Sequence, residues 1–208
     1  MTQPALYVFA KQPIPGQVKT RLQPEYGPGV AAEIAALLIR ETVALAVSSW
    51  PGPVYLCGAP DADHPLFREL SQEHQIVLRD QGAGDLGARM HRALTHGIEQ
   101  HGAAGVIGCD VPHCPWDTLD EANGLLARRH DVIGPTEDGG YYFIGLARPV
   151  AELFADMPWS TSQVYAETRR RADRRGIEFS LLGSLRDIDT AADLWLIAQR
   201  YEPLRRYL

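Results

Sequence analysis

Several features that would assign a class at a glance are missing from these 208 residues. Cysteine is scarce: Cys57, Cys109 and Cys114 are the only three. An odd, sparse set argues against a disulfide framework and fits reduced thiols in a cytoplasmic protein. Cys109, His113 and Cys114 stand close together, but that spacing is not one that holds zinc, so a buried, incidental role is expected. No apolar run approaches the length of a membrane span. No basic stretch leads into an apolar one at the N-terminus, so no secretory signal is expected. Positive charge is in the minority, at a formal net charge of −6, and aromatic residues are not interleaved with basic runs. General nucleic-acid binding is therefore not expected. There is no internal repeat and no low-complexity linker. The length fits one domain over residues 1–208, and a hydrophobic content of 45% suffices for a full core.

What is present is an almost unbroken alternation of strand-like and helix-like segments, the signature of an α/β domain. Apolar runs predict strands at Ala5–Phe9, Val54–Cys57, Gln75–Leu78, Gly105–Cys109, Asp131–Ile133, Tyr141–Leu146 and Ile177–Leu182. Helical spacing predicts helices at Gly29–Ser48, His64–Leu70, Asp85–Glu99, Trp116–Arg129 and Ala191–Tyr201. Asp85 is placed to cap its helix. Ser160-Thr161-Ser162-Gln163 matches a capping box and predicts a further helix running to about Arg174. The run Arg169-Arg170-Arg171, with Arg174 and Arg175, falls on that helix. Consecutive helical residues point in different directions, so a solvated face is expected rather than an anion site.

The most informative segment follows the first strand. Residues 9–22 carry Pro13, Pro15, Gly16 and three cations, Lys11, Lys19 and Arg21. The prolines stiffen the loop before anything binds. Gly16, without a Cβ, lets a ligand approach the backbone. The three cations are spaced to converge on one polyanion, and arginine holds phosphate through a fork of donors. A cationic glycine loop after a strand of an α/β chain is a phosphate cradle candidate. It is not a P-loop: valine, not glycine, precedes Lys19.

Acidic residues recur near the ends of later strands. Cys109-Asp110-Val111-Pro112 puts a carboxylate at the carboxyl end of a buried strand, where open α/β sheets bind ligands. Opposite three cations, Asp110 suggests a divalent metal bridging to phosphate, since Mg2+ takes one or two protein carboxylates plus phosphates. The alternative is that Asp110 caps the following helix. Asp187-Ile188-Asp189-Thr190 precedes the last helix. Asp189 or Thr190 is a natural N-cap there, and beside Asp110, Asp189 becomes a candidate second metal ligand. Thr136-Glu137-Asp138-Gly139-Gly140-Tyr141 reads as an acidic hairpin turn, in which Asp138 is a candidate to orient or deprotonate an acceptor. Residues 81–87 are a glycine-rich entry to a helix. There Gln81 offers both donor and acceptor to a flat base.

Taken together, FAKQPIPGQVKTRL, QGAGDLGARM, IGCDVP, GPTEDGGYYFIGL, WSTSQV and DIDTAADL resemble a known family in order, from Phe9 to Leu194. The chain looks like the bacterial GT-A-type nucleotide-diphospho-sugar transferases, a group that includes those called arsenosugar-biosynthesis glycosyltransferases. It is more distantly similar to 2-phospholactate guanylyltransferases and molybdenum-cofactor nucleotidyltransferases. The resemblance implies a three-layer α/β/α sandwich with a mostly parallel sheet. It implies that Gly16, Lys19, Arg21 and Lys11 hold nucleotide phosphates, and that Asp110 and Asp189 hold Mg2+ or Mn2+. It also implies that Gln81 and Gly84 lie against the base.

The expected ligands are a nucleotide sugar or an NTP and a small acceptor. In sugar transfer the metal and the cations neutralise the departing nucleoside diphosphate, with Asp138 at the acceptor. In nucleotidyl transfer Lys19 and Arg21 stabilise charge at the attacked α-phosphate. A non-catalytic nucleotide-binding protein is the third reading. Nucleotidyltransferases begin with several small residues and glycines, where this chain has Lys11-Gln12-Pro13-Ile14-Pro15-Gly16. That difference favours sugar transfer.

Overall fold

The first apolar run forms strand β1 (Ala5–Lys11), and both of its faces are buried. Leu6, Val8 and Ala10 join one core cluster, and Ala5, Tyr7 and Phe9 join another. A strand sealed on both faces reads as continuous apolar sequence rather than as alternation. The computed structural model describes residues 3–208. After β1 come α1 (Gln23–Ser49), β2 (Val54–Ala59), α2 (Pro65–His74), β3 (Val77–Asp80) and α3 (Leu86–His101). Then follow β4 (Ala104–Gly108), α4 (Trp116–Ala127), β5 (Asp131–Pro135) and β6 (Tyr141–Leu146). Finally come α5 (Val164–Arg174), β7 (Phe179–Leu181) and α6 (Ala191–Ala198).

The seven strands make one sheet in the order β3-β2-β1-β4-β6-β5-β7. All neighbours are parallel except β6, which runs antiparallel to β4 and β5. The short turn between β5 and β6 requires this, because only an antiparallel pair can be joined by a tight hairpin. Helices α1, α2 and α4 bring Val43, Phe67 and Leu119 to one side of the sheet. Helices α3 and α5 bring Leu94 and Ala172 to the other. The protein is thus the expected three-layer α/β/α sandwich with a mostly parallel sheet. Among the described residues no helix is long and apolar enough to cross a membrane.

From β1 the chain steps outward to β2 and β3, then crosses to β4 on the other side. The gap between the carboxyl ends of β1 and β4 is therefore the topological switch point of the sheet, where such folds open a crevice.

Several local expectations change: β3 lies at Val77–Asp80 rather than Gln75–Leu78, and α2 continues past Leu70 to His74. The box at Ser160 does not form. Ser160 has φ 64°, outside the extended region an N-cap needs, and α5 starts only at Val164 with no side-chain cap. Helix α1 begins earlier than Gly29, because a first turn opening at Gln23-Pro24 runs into it across a break at Gly27 (φ 74°). Helix α6 stops at Ala198, short of Tyr201. The arginines of α5 lie largely at the surface, as expected, and pair there within the chain: Arg170 and Arg171 with Glu167, Arg175 with Glu152, while Arg169 donates to the Tyr165 hydroxyl.

Candidate active site

Beyond β1 the chain turns twice. The Gln12 amide nitrogen donates to the Ala59 carbonyl at 2.8 Å, and its side-chain nitrogen to Asp61 Oδ1 at 2.7 Å, anchoring the proline loop to the end of β2. Gly16 has φ 84°, which a side chain would strain, and no atom lies within 4 Å of where its Cβ would stand. The loop therefore presents open backbone at that point.

Lys19 then turns inward. Its ammonium lies 2.6 Å from Asp110 Oδ1, 2.6 Å from the Ile188 carbonyl and 3.1 Å from Asp189 Oδ1. Its side chain is only 9% exposed. Burial alone would lower its pKa, but the carboxylates of Asp110 and Asp189 more than offset that and the net direction is upward. Arg21 stays at the mouth with its side chain 70% exposed, 3.4 Å from Asp189 Oδ2. Lys11, exposed at the end of β1, makes no ion pair among the described residues. The three cations thus stand in different surroundings, Lys11 on the surface, Arg21 at the mouth and Lys19 inside. Lys19 is engaged with the two carboxylates expected to hold metal.

Two features position those carboxylates. Asp110 stands two residues beyond the end of β4 and does not cap α4, whose N-cap is Pro115. Asp189 is likewise free of capping. Thr190 caps α6 by accepting from the Asp193 amide, while the Asp193 carboxylate accepts from the Thr190 amide at 2.9 Å. This reciprocal box satisfies the helix end without Asp189.

The sequence reading missed Asp187. It is largely buried, and burial pushes its carboxyl up to about 8, with Asp110, Asp138 and Asp189 adding to the rise and Lys19 opposing it. Asp187 and Asp189 flank the fully buried Ile188, so both acids sit on the opposite side from that anchor; the acid–apolar–acid alternation is the one trace of this in the sequence.

The acidic hairpin closes the other side. Asp138 Oδ1 accepts from the Thr136 hydroxyl at 2.6 Å and the Gly140 amide at 3.0 Å. Oδ2 makes no bond among the described residues. Gly139 has φ 93°, and a Cβ there would come 2.2 Å from the Ser162 carbonyl, so the hairpin packs tightly on the segment before α5. Arg21, Asp138, Asp187 and Asp189 line one cavity of about 210 Å3. Arg186 borders it, paired with Glu137 and with Asp193. A larger groove of about 440 Å3, between α1 and the C-terminal residues Arg206 and Tyr207, holds none of these groups.

The expected base-binding pair lies apart. Gln81 is buried, and its side-chain nitrogen donates to the carbonyls of Ala10 at 3.1 Å and Cys57 at 2.9 Å. Those donors tie β1 to β2. Gly84 has φ 100°, the left-handed conformation that delivers the chain to the Asp85 cap of α3. The carbonyls of Gln81, Ala83 and Gly84 are held by Arg92 and Arg89. The three cysteines are buried and unpaired, and Cys109 donates to the Phe9 carbonyl at 3.3 Å.

A family model described as "Uncharacterized protein conserved in bacteria" (DUF2064) matches residues 42–161, more than half of the chain. The chain belongs to this family. The match spans Asp110 and Asp138 but not Lys19 or Asp189. No curated protein matches the chain. Among solved structures, a candidate nucleotide-diphospho-sugar transferase from Desulfovibrio desulfuricans G20 is 27% identical. It superposes with a TM-score of 0.87, covering 99% of this chain and 95% of its own. A CMP:2-keto-3-deoxy-manno-octonic acid synthetase complexed with CTP gives a TM-score of 0.58 at 12% identity, over 99% and 100% of the two chains. Rv0371c of Mycobacterium tuberculosis H37Rv, complexed with manganese, gives 0.57 at 14% identity over 95% and 99%. At these identities the last two similarities establish the fold alone. The likeness to the Desulfovibrio protein agrees with the family resemblance read from the sequence motifs.

Proposed function

We propose that the protein is a metal-dependent transferase that moves a sugar from a nucleotide-diphosphate donor to a small acceptor. The broader assignment, to the nucleotide-sugar and nucleotidyl transferases, draws support from the 27% identical Desulfovibrio protein. The observation that carries it is the convergence of Lys19 on Asp110 and Asp189 at the switch point of the sheet, with Arg21 exposed beside them.

The donor set fits Mg2+ or Mn2+. Asp110 and Asp189 offer hard carboxylate oxygens in the number Mg2+ usually takes from protein, leaving the rest for phosphate and water. Among the described residues no three acidic, histidine or cysteine groups form a ready cation cage; the carboxylates close on Lys19 instead. Yet Asp187 is driven toward its neutral form, first by burial and then by the negative charge of Asp110, Asp138 and Asp189, which Lys19 only partly offsets. A divalent cation held by Asp110 and Asp189 relieves it. When bound, the metal serves as a Lewis acid that neutralises charge on the departing nucleoside diphosphate.

The protein's own groups divide the remaining work. Arg21 reaches donor phosphate with its guanidinium fork. Gly16 lets phosphate approach the loop backbone. Asp138, held through Oδ1, offers Oδ2 to an acceptor hydroxyl as a base or an orienting group. The stiff proline loop, anchored through Gln12, favours a diphosphate over wrapping a triphosphate.

A thermal-shift series of nucleotide sugars and NTPs, with and without Mn2+, tests this reading. Mn2+-dependent stabilisation by a UDP- or GDP-sugar, greater than by the matching NTP, is expected. Equal or greater stabilisation by the NTP would favour the nucleotidyl reaction.

A further inference from the structure

Lys19 has three N–H donors, and the structure places three oxygens around them: Asp110 Oδ1, Asp189 Oδ1 and the Ile188 carbonyl. The ammonium is saturated. It cannot keep these partners and also bind a donor phosphate. Nor can a divalent cation take the same two carboxylate oxygens while the ammonium sits between them, because the buried ammonium and the cation would be like charges in direct contact and would repel. One position between two carboxylates therefore has two claimants.

We propose that Lys19 is an internal counter-ion that the divalent cation displaces from between Asp110 and Asp189, freeing its ammonium for the phosphates of the donor. The inference rests on the metal site of the preceding subsection and adds to it an exchange. Without metal, Lys19 holds Asp110 and Asp189 together. The Ile188 amide donating to the Asp110 carbonyl at 2.9 Å keeps the two loops in register. The metal thus enters a site whose ligands are already gathered.

The local geometry suits such a move. Lysine carries a point charge on a flexible four-carbon stem with rotatable donors. Next to it Thr20 and Arg21 are exposed, so the outward path leads toward the mouth where Arg21 already stands. Lys19 itself has φ 45°, an uncommon conformation for a residue other than glycine. Arginine would not substitute. Its planar fork matches a carboxylate but does not fit among three oxygens arranged around one point.

The test measures Mn2+ binding without nucleotide, by the electron paramagnetic resonance signal of free Mn2+, for the full chain and for Lys19→Met. The variant loses the competitor and is expected to bind Mn2+ about tenfold or more tighter than the wild type, the range given by removing charge-assisted bonds that Mn2+ must otherwise break. Its melting temperature should fall below that of the wild type in metal-free buffer and recover on adding Mn2+. In the wild type UDP should raise Mn2+ affinity, by giving the displaced ammonium a partner, and this coupling should shrink in Lys19→Met. If Lys19→Met does not fold, Lys19→Gln removes the same charge while keeping a donor and carries the same comparison. Measurable Mn2+ binding by the wild type with no tighter binding by the neutral variant would overturn the exchange and leave the metal site standing. No Mn2+ binding by either protein, with or without UDP, would overturn the metal site itself and the exchange with it.

Discussion

The Ile188 amide donates to the Asp110 carbonyl at 2.9 Å, and this one bond joins the loop after β7 to the loop after β4. Because Ile188 is fully buried, the acids on either side of it are held toward the switch point. The candidate site therefore depends on two loops that lie more than seventy residues apart in sequence. Lys19 from a third loop bridges their carboxylates.

Arg21 isolates the phosphate contact. Its side chain is mostly exposed and its pairing with Asp189 is long at 3.4 Å, so Arg21→Ala should leave folding stability almost unchanged. Its affinity for a nucleoside diphosphate should fall by ~1.5–3 kcal/mol, the typical worth of a charge-assisted hydrogen bond. Affinity for the bare nucleoside should not move. Calorimetry on both ligands measures the difference, and equal losses would show that Arg21 does not contact phosphate.

Asp187 gives the protein a pH signature. Its carboxyl is raised to about 8 in the folded chain from an ordinary 3.8, so between these values the native state binds the extra proton. Stability from this group is fully present below the unfolded value and is lost as pH rises through about 8. In metal-free buffer, urea unfolding should show stability declining from about pH 5 to about pH 9. Asp187→Asn should flatten that decline, making the variant relatively more stable at the alkaline end. Parallel curves for the two proteins would mean that Asp187 is ionised throughout.

Gln81 separates a structural role from a base-reading one. Its side-chain nitrogen donates to two buried backbone carbonyls. Gln81→Leu should destabilise the fold by ~1–3 kcal/mol, the cost of leaving buried acceptors unsatisfied. Preference among UDP, GDP and CDP should be unchanged. A shift in base preference with unaltered stability would restore Gln81 to the base.

The fold was legible because its causes are local. The central strands of the sheet appear in the sequence as apolar runs, whereas the edge strand β3 ends in Arg79-Asp80 and lies two residues later than its apolar run; Asp85 announces α3 as the cap it proves to be, accepting from the Ala88 amide. The box at Ser160 misled because a match of residue types carries no dihedral angle, and Ser160 adopts a positive φ. The site was legible in part. Asp110, Asp189 and Lys19 each stand out in the sequence as candidates, but their mutual pairing depends on the crossing from β1 to β4 and on the return of the chain through β7, which spacing does not encode. Gln81 stands out in the sequence as a donor and acceptor in a glycine-rich helix entry. Its burial follows from the ends of β1 and β2, distant in sequence. Asp187 shows in the sequence only as one acid of an acid–apolar–acid alternation; the burial of Ile188 is what turns it and Asp189 to the same side.

The products of the reaction test the central claim most directly. The protein is incubated with Mn2+, a UDP- or GDP-sugar and a set of small hydroxylated acceptors, and in parallel with the matching NTP and small phosphorylated acceptors. Nucleoside diphosphate should accumulate from the sugar donor, with slow release even in the absence of acceptor as water takes its place, and no pyrophosphate should form from the NTP. Pyrophosphate release from the NTP, with no turnover of any nucleotide sugar, would contradict sugar transfer and identify the reaction as nucleotidyl transfer.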